Sequence, residues 1–251
     1  AVLTPQESRT LFRTLRQLLN DGLSIIFISH KLAEVLEVSD RIAVLRDGKL
    51  VLEENVSETS EKKLAKAMVG RSFKMPIRKE TTVGESLLTL ENVSVSSPEM
   101  VSVLDRASFS VNSREVVGLA GISGNGQRVL ADVISGMQSP TSGKVFLYGK
   151  EIRRFNPREM LMKKVGRIPE DRQGFGVVGD MNLEENAITE LYKNKDYSKL
   201  GFLNLKNRNN FAEKIAHEFD VRGVKKNYPV RLLSGGNMQK LILGRVLLQN
   251  P

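Results

Sequence analysis

The segment that most restricts the fold is a largely apolar run, Glu115–Ala120, followed at once by the glycine-rich loop Gly121–Arg128. A continuous apolar run of this length predicts a strand buried on both faces of a parallel sheet. The loop leads into Gln127–Ile134, whose apolar spacing predicts an amphipathic helix. Strands and helices alternate in this way along the chain, so the sequence predicts an α/β fold.

The first part of the chain repeats the alternation. Pro5 opens a helix after the N-cap Thr4, and the apolar run Ser24–Ser29 predicts a second strand buried in a parallel sheet. His30 stands at the carboxyl end of that strand, where ligands bind in α/β proteins, although a lone histidine is more often a structural residue. The other predicted elements are a helix over 32–38, strands over 41–45 and 49–53 joined at Asp47-Gly48, strands over 87–95, 107–111 and 144–149, a short strand ending at 167–169, and helices over 183–191, 208–219 and 238–248.

Composition narrows the function classes. The chain has 251 residues, of which 40% are hydrophobic and 27% charged, which is ordinary for a globular protein with an ample core. It contains no cysteine, which excludes disulfides and thiolate metal sites, and no apolar run long enough for a transmembrane helix. The net charge of +9 is compatible with nucleic acid, an anionic membrane surface or phosphate ligands. Few aromatic residues lie among the basic ones, which weakens the nucleic-acid interpretation.

The glycine-rich loop has the setting of a phosphate-binding loop but lacks part of its chemistry. Glycines allow backbone N–H groups to converge on phosphate oxygens, and such loops end in Lys followed by Ser or Thr. This loop ends in Gln127, which carries no charge for the phosphates, and Arg128, which cannot ligate Mg²⁺. By spacing alone, a degenerate phosphate loop and a turn without a ligand are both open. The candidate nucleotide-binding residues are Gly121, Ser123, Gly124, Asn125, Gly126, Gln127 and Arg128.

A second glycine-rich segment, Leu233–Lys240, precedes an apolar helix. Ser234 before Gly235 and Gly236 is either an ordinary N-cap or part of an anion site at the positive end of the helix dipole. The whole string, Leu-Ser-Gly-Gly-Asn-Met-Gln-Lys, resembles the signature motif of ATP-binding cassette (ABC) ATPases, in the form found in bacterial sugar and nucleoside importers. Further segments resemble the same family, in the order of its motifs.

The resemblance assigns roles to residues outside the loop. The segment Arg167–Arg172 resembles the Q-loop region of this family, with Glu170 where a glutamine is usual. A solvated Glu170 paired with Arg172 is the alternative for that position. The strand ending at His30 resembles the switch-histidine region, which implies a catalytic role for His30. The signature residues Ser234, Gly235, Gly236 and Asn237 are implied nucleotide contacts.

The resemblance also implies an organisation into domains. The implied fold is a P-loop NTPase of the ABC ATPase type, α/β with a mixed sheet and a helical signature subdomain. Residues 1–70 match the C-terminal part of a first nucleotide-binding domain, 71–86 form a polar and basic linker, and 87–251 match a second such domain up to its Walker B segment. Neither copy of the Walker B carboxylates lies in the sequence. We therefore expect this chain alone not to hydrolyse ATP.

The implied parent function is that of the ATP-binding subunit that energises import of a sugar or nucleoside. Its cofactors would be ATP and Mg²⁺, although Arg128 argues against a Mg²⁺ contact at this loop. Its partners would be membrane-spanning permease subunits and, through the complex, a periplasmic or lipoprotein solute-binding protein, with no nucleic acid. It would lie peripherally on the cytoplasmic face of the bacterial inner membrane. Two alternatives stay open: a non-hydrolysing regulatory nucleotide-binding module, and a soluble tandem ABC protein acting on ribosomes or DNA.

Overall fold

The computed structural model describes residues 5–46, 48–70, 81–97, 100–122, 124–223 and 227–251. The chain divides into two compact units, Ala1–Glu80 and Thr81–Pro251. Most of the predicted linker, residues 71–80, lies outside the described residues, as do the predicted N-cap Thr4 and Asp47 of the hairpin turn. In the described part of the chain, no helix has the length and apolarity needed to cross a membrane.

The first unit packs three helices with one hairpin. The helices are α1 (Pro5–Asn20), α2 (Leu32–Val38) and α3 (Glu61–Val69), and the hairpin pairs β1 (Arg41–Arg46) with β2 (Lys49–Asn55) in antiparallel register. The predicted helix over 32–38 and the predicted hairpin are confirmed. The core joins alternate residues of β1 to α3 through the buried side chains of Ile42, Val44 and Leu64.

The second unit begins with an antiparallel sheet in the order β4-β3-β5-β6. Its strands are β3 (Ser86–Ser97), β4 (Met100–Asn112), β5 (Ser142–Leu147) and β6 (Lys150–Glu151), and the helices α4 (Gln127–Ile134) and α5 (Pro157–Met162) lie against it. Helix α4 has the predicted bounds. Its buried residues Leu130 and Val133 pack with Leu90, Val93 and Val145 of the sheet, which fixes the end of the glycine-rich loop to a rigid layer.

The remainder of the second unit is helical. Its elements are a π-type turn over Arg172–Gly176, α6 (Leu183–Ala187), a short hairpin of β7 (Ser198–Lys199) and β8 (Phe202–Leu203), α7 (Leu205–Glu218) and α8 (Gly235–Leu247). Helix α6 is shorter than the predicted 183–191, while α7 and α8 begin before their predicted starts. These helices share one core, centred on Ala187, Ile215, Met238, Leu241 and Ile242.

The predicted parallel strands are wrong for this structure. Residues 24–29, 115–120 and 167–169 form no strand, and every ladder among the described residues is antiparallel. Ile26 is 92% exposed, Ile28 91% and Val116 86%, although apolar patterning predicts burial. A strand becomes buried on both faces only when neighbouring strands pair with its edges, and no described residue pairs with these segments.

Two glycines, Gly143 inside β5 and Gly149 just after it, provide a matched test of the sheet. Gly143 and Gly149 have φ angles of +85° and +71°, which side chains disfavour by roughly 1–2 kcal/mol. A Cβ on Gly143 would collide with the backbone of Asn92 and Glu91, whereas a Cβ on Gly149 would meet nothing within 4 Å. We expect Gly143→Ala to lower the free energy of unfolding by about 1–3 kcal/mol more than Gly149→Ala, because only the former overpacks the sheet.

Urea denaturation followed by circular dichroism measures both free energies on the same chain. Equal losses in the two variants would show that backbone conformation alone, and not the close approach of β3 to β5, requires glycine at position 143.

Candidate functional site

The glycine-rich loop is shaped by backbone conformations that only glycine adopts readily. Gly124 and Gly126 have φ angles of +94° and +91°, and Gly126 is the residue immediately before α4. A Cβ on Gly126 would lie 2.5 Å from the carbonyl oxygen of Val103 in β4, while one on Gly124 would meet nothing within 4 Å. The loop is therefore pressed against the sheet at Gly126 and open at Gly124. Ser123, a predicted nucleotide contact, lies outside the described residues.

Gln127 occupies the position of the usual lysine, and its side chain forms a hydrogen bond within the loop. Its side-chain Nε2 donates a hydrogen bond of 3.0 Å to the carbonyl of Ile122, and the amide group covers Gly121. The N–H of Asn125 donates to the same carbonyl at 3.2 Å. Gln127 thus fixes the shape of the loop without adding charge.

Arg128 is the last residue of the loop segment and the first cation after its glycines, and it lies in the first turn of α4. Its guanidinium carbon is 5.4 Å from the centre of the Phe175 ring, within the range of a cation–π interaction. Among the described residues no carboxylate forms an ion pair with Arg128. By contrast, Asp132, one turn further along the same helix, pairs with Arg167 at 2.6 Å. The charge of Arg128 is therefore available to an anion at the loop.

The turn that carries Phe175 is held at both ends. The Asp171 carboxylate accepts hydrogen bonds from the N–H groups of Gln173 and Gly174 at 3.1 and 2.9 Å, and its carbonyl accepts from Phe175 and Gly176 at 3.1 Å. The ring of Phe175 itself is 61% exposed. These hydrogen bonds therefore hold the backbone of the turn in a defined conformation.

Arg172 joins this turn to the signature helix. Its Nη1 donates to the carbonyl of Gly235 at 3.0 Å and to Oε1 of Gln239 at 3.4 Å. The alternative in which Arg172 pairs with Glu170 is not what the structure shows: Glu170 is exposed and forms no ion pair among the described residues. The structure therefore brings the loop, the turn and the signature segment together through Arg128–Phe175 and Arg172–Gly235.

The signature segment begins α8 with a side-chain cap. The hydroxyl of Ser234 accepts from the backbone N–H of Asn237 at 3.4 Å and from its side-chain Nδ2 at 2.9 Å. The Asn237 Oδ1 in turn accepts from the backbone N–H of Arg222 at 2.9 Å. Ser234, Gly235 and Gly236 are all exposed. The predicted cap is confirmed, and it leaves these residues accessible at the helix N-terminus.

Asp220 anchors the same helix and could not be identified from the sequence. Its carboxylate accepts from Arg222 Nε at 2.8 Å and from Lys240 Nζ at 3.1 Å, and Lys240 also donates to its carbonyl at 2.7 Å. These bonds, above all that from Arg222, lower the pKa of the Asp220 carboxyl to about 2. No local pattern links residue 220 to residue 240; only the packing of α7 on α8 brings them together.

Arg245 of α8 is buried among the helices of the second unit, with 4% of its surface exposed. It donates to the carbonyl oxygens of Gly176 at 2.9 Å and Asn186 at 3.2 Å, and to the hydroxyl of Thr189 at 2.9 Å. Burial lowers the pKa of the Arg245 guanidinium, and Glu190 at 3.2 Å opposes that shift. Arg245 therefore fixes the end of the 172–176 turn to α8 and α6.

His30 lies in the first unit and is exposed. Its neighbours form a network around Glu34, which accepts from Lys31 at 2.7 Å and from Ser29 at 3.3 Å. The hydrogen bond from Lys31 lowers the pKa of the Glu34 carboxyl. This network orders the residues on either side of His30.

The donors at the loop do not suit a magnesium ion. Mg²⁺ prefers oxygen ligands, above all carboxylates, hydroxyls and water, whereas the loop ends in Gln127, with one neutral amide oxygen, and Arg128, with no side-chain oxygen. Within the described ranges, no group of three or more His, Cys, Asp or Glu side chains is arranged to hold a metal ion. The loop suits the phosphates of a nucleotide better than it suits their metal.

Comparisons with known proteins identify the family. The ABC transporter family profile matches residues 104–251. The chain is 39% identical to the glucose import ATP-binding protein of Haloferax volcanii, over 100% of the chain and 46% of the relative. It is 36% identical to the nucleoside import ATP-binding protein of Lactococcus lactis, over 100% of the chain and 50% of the relative. The chain thus spans about half the length of the curated relatives that it matches.

Solved structures support the fold. A dimeric ATP-binding cassette in a post-hydrolysis state with ADP and Pi superposes with a TM-score of 0.53 at 20% identity, over 66% of this chain and 71% of that one. A nucleotide-free ATP-binding cassette from an ABC transporter gives 0.52 at 25% identity, over 66% of each chain. The predicted fold class, a P-loop NTPase of the ABC ATPase type, is confirmed.

The pKa of Asp220 predicts a dependence of stability on pH. Because folding lowers this pKa from 3.8 to about 2, the carboxylate stabilises the fold above pH 3.8, and the contribution is lost as the pH falls towards 2. We expect Asp220→Asn to lower the urea midpoint at pH 7 and to differ less from the unmutated chain at pH 3. Asp180→Asn, whose carboxylate is 89% exposed, is the control and should have a smaller effect at both pH values. An Asp220→Asn effect that is unchanged by pH would contradict this role.

Proposed function

The chain belongs to the ABC transporter family of ATP-binding proteins, and from that membership we propose that it binds ATP at the loop Gly121–Arg128. A protein with the full length of these relatives would couple ATP binding and hydrolysis to the import of a sugar or nucleoside. The names of the relatives, which are glucose, nucleoside and ribose import ATP-binding proteins, support this solute class.

One observation carries the proposal: an open glycine-rich loop lies at the N-terminus of α4, beside a guanidinium that forms no ion pair with any described carboxylate. Gly124 leaves the space above the loop free, and Gly126 keeps the backbone close to β4. The positive end of the α4 dipole and the charge of Arg128 both favour an anion at this point. Arginine binds phosphate well because its planar fork presents several N–H donors together.

We propose that this loop binds nucleotide without hydrolysing it. Hydrolysis requires a cation against the β- and γ-phosphates and a hydroxyl on Mg²⁺, which the usual Lys and Ser or Thr supply. The side-chain Nε2 of Gln127 donates to the Ile122 carbonyl, and Arg128 has no side-chain oxygen that could ligate a metal. A regulatory nucleotide-binding module is therefore the second candidate function, and these two residues favour it. No observation favours action on ribosomes or DNA.

The other predicted site residues have roles in a larger assembly. Ser234, Gly235, Gly236 and Asn237 are accessible at the start of α8 and would complete a nucleotide site on another cassette domain. His30 would position the γ-phosphate and water in its own domain, and Glu170 would contact the nucleotide from the turn. The membrane partners would be permease subunits and, through them, a solute-binding protein. The protein would then lie against the cytoplasmic face of the membrane.

Titration of the chain with a fluorescent ATP analogue tests the loop directly. We expect saturable binding that unlabelled ATP competes away, and that persists when EDTA removes Mg²⁺. Arg128→Glu should weaken binding by at least about tenfold, because a repelling carboxylate then faces the phosphates. Arg158→Glu makes the same change of charge at an exposed position on α5 and should leave the affinity unchanged. Equal effects of the two substitutions, or no saturable binding, would refute the loop as the site.

A further inference from the structure

We propose that Phe175 is a positioning residue that sets the affinity of the loop for nucleotide phosphate by holding Arg128 in place. This inference rests on the proposed binding of nucleotide at Gly121–Arg128 and identifies a residue outside that loop on which the binding depends. Its basis is the contact in which the Arg128 guanidinium carbon lies 5.4 Å from the centre of the Phe175 ring.

Arg128 needs such a support because no other described residue orients its guanidinium. Among the residues that the structure describes, no carboxylate and no carbonyl oxygen receives a hydrogen bond from its guanidinium. A free arginine side chain loses considerable rotamer entropy when a ligand immobilises it. A ring that already restricts the side chain removes part of that cost before the nucleotide arrives.

Phe175 is suited to this task because its own backbone is fixed. The N–H of Phe175 donates to the carbonyl of Asp171 at 3.1 Å, and the next residue, Gly176, accepts from the buried Arg245 at 2.9 Å. Gly176 also lies against Ile242, since a Cβ there would be 2.5 Å from its Cδ1. The backbone that carries the ring is therefore held in place on both sides of Phe175.

The contact leaves the chemistry of Arg128 intact. An aromatic ring interacts with the face of a guanidinium, whereas the N–H donors point outward in the plane of that group. Phe175 can therefore hold Arg128 while Arg128 donates to phosphate oxygens. An acidic partner in place of Phe175 would orient the side chain equally well but would also neutralise its charge.

The test is a mutant cycle read out as the dissociation constant of the fluorescent ATP analogue. Phe175→Leu should weaken binding about 2–5-fold, the size expected when an exposed cation–π contact is lost. Phe175→Tyr keeps a ring face and should bind like the unmutated chain. In an Arg128→Gln background, Phe175→Leu should have no further effect. Because Phe175 is 61% exposed, these variants should fold.

Phe202→Leu is the matched control, since it makes the same change at a 79% exposed phenylalanine in β8. Its dissociation constant should equal that of the unmutated chain. Binding that is unchanged by Phe175→Leu, or tightened by it, would overturn the positioning role while the loop remained a nucleotide site. An effect of the same size in the Arg128→Gln background would also overturn it, because the effect would not pass through Arg128. Failure of every variant to bind would overturn the proposed function and this inference together.

Discussion

The second unit depends on the fixed turn over Arg172–Gly176, which lies between its sheet and its helices. Three guanidinium groups meet there: Arg245 holds the Gly176 carbonyl from inside, Arg172 reaches the Gly235 carbonyl, and Arg128 lies on the Phe175 ring. Two of these contacts end on backbone carbonyl oxygens, which cannot move without disturbing the helices around them. The turn therefore sets the distance between the glycine-rich loop and the signature helix.

In the proposed site, this arrangement would allow a loop without its usual lysine to bind phosphate. The amide of Gln127 keeps the loop in shape, and the positive charge comes from the next residue along α4. The hydroxyl that would ligate Mg²⁺ is missing, and we therefore propose that phosphate affinity and hydrolysis are separated at this loop. Separation of that kind suits a site whose occupancy, rather than turnover, is used by the assembly.

The sequence predicted those parts of the structure that local chemistry determines. Helix α4 has the bounds that apolar spacing and the preceding glycines indicate, and Ser234 caps α8 as the motif predicts. The runs Ser24–Ser29 and Glu115–Ala120 were predicted as buried strands. Such burial requires that the run lies inside a sheet with neighbouring strands, and an apolar pattern contains no information on whether those strands pair with it. The Arg128–Phe175 contact could not be predicted from the sequence either, because it joins residues 47 positions apart through tertiary packing. The family resemblance indicated the residues of the proposed site, whereas the contacts that hold these residues in place became visible only in the fold.

A crystal structure of the chain with ATP would show whether the Arg128 guanidinium takes the place of the missing lysine. We expect phosphate oxygens at the backbone N–H groups of Gly121–Gln127, with the Arg128 guanidinium donating to them while it still lies on the Phe175 ring. A nucleotide bound elsewhere would contradict the assignment of the loop. A nucleotide bound at the loop with Arg128 turned away from the phosphates would contradict the claim that its guanidinium replaces the missing lysine.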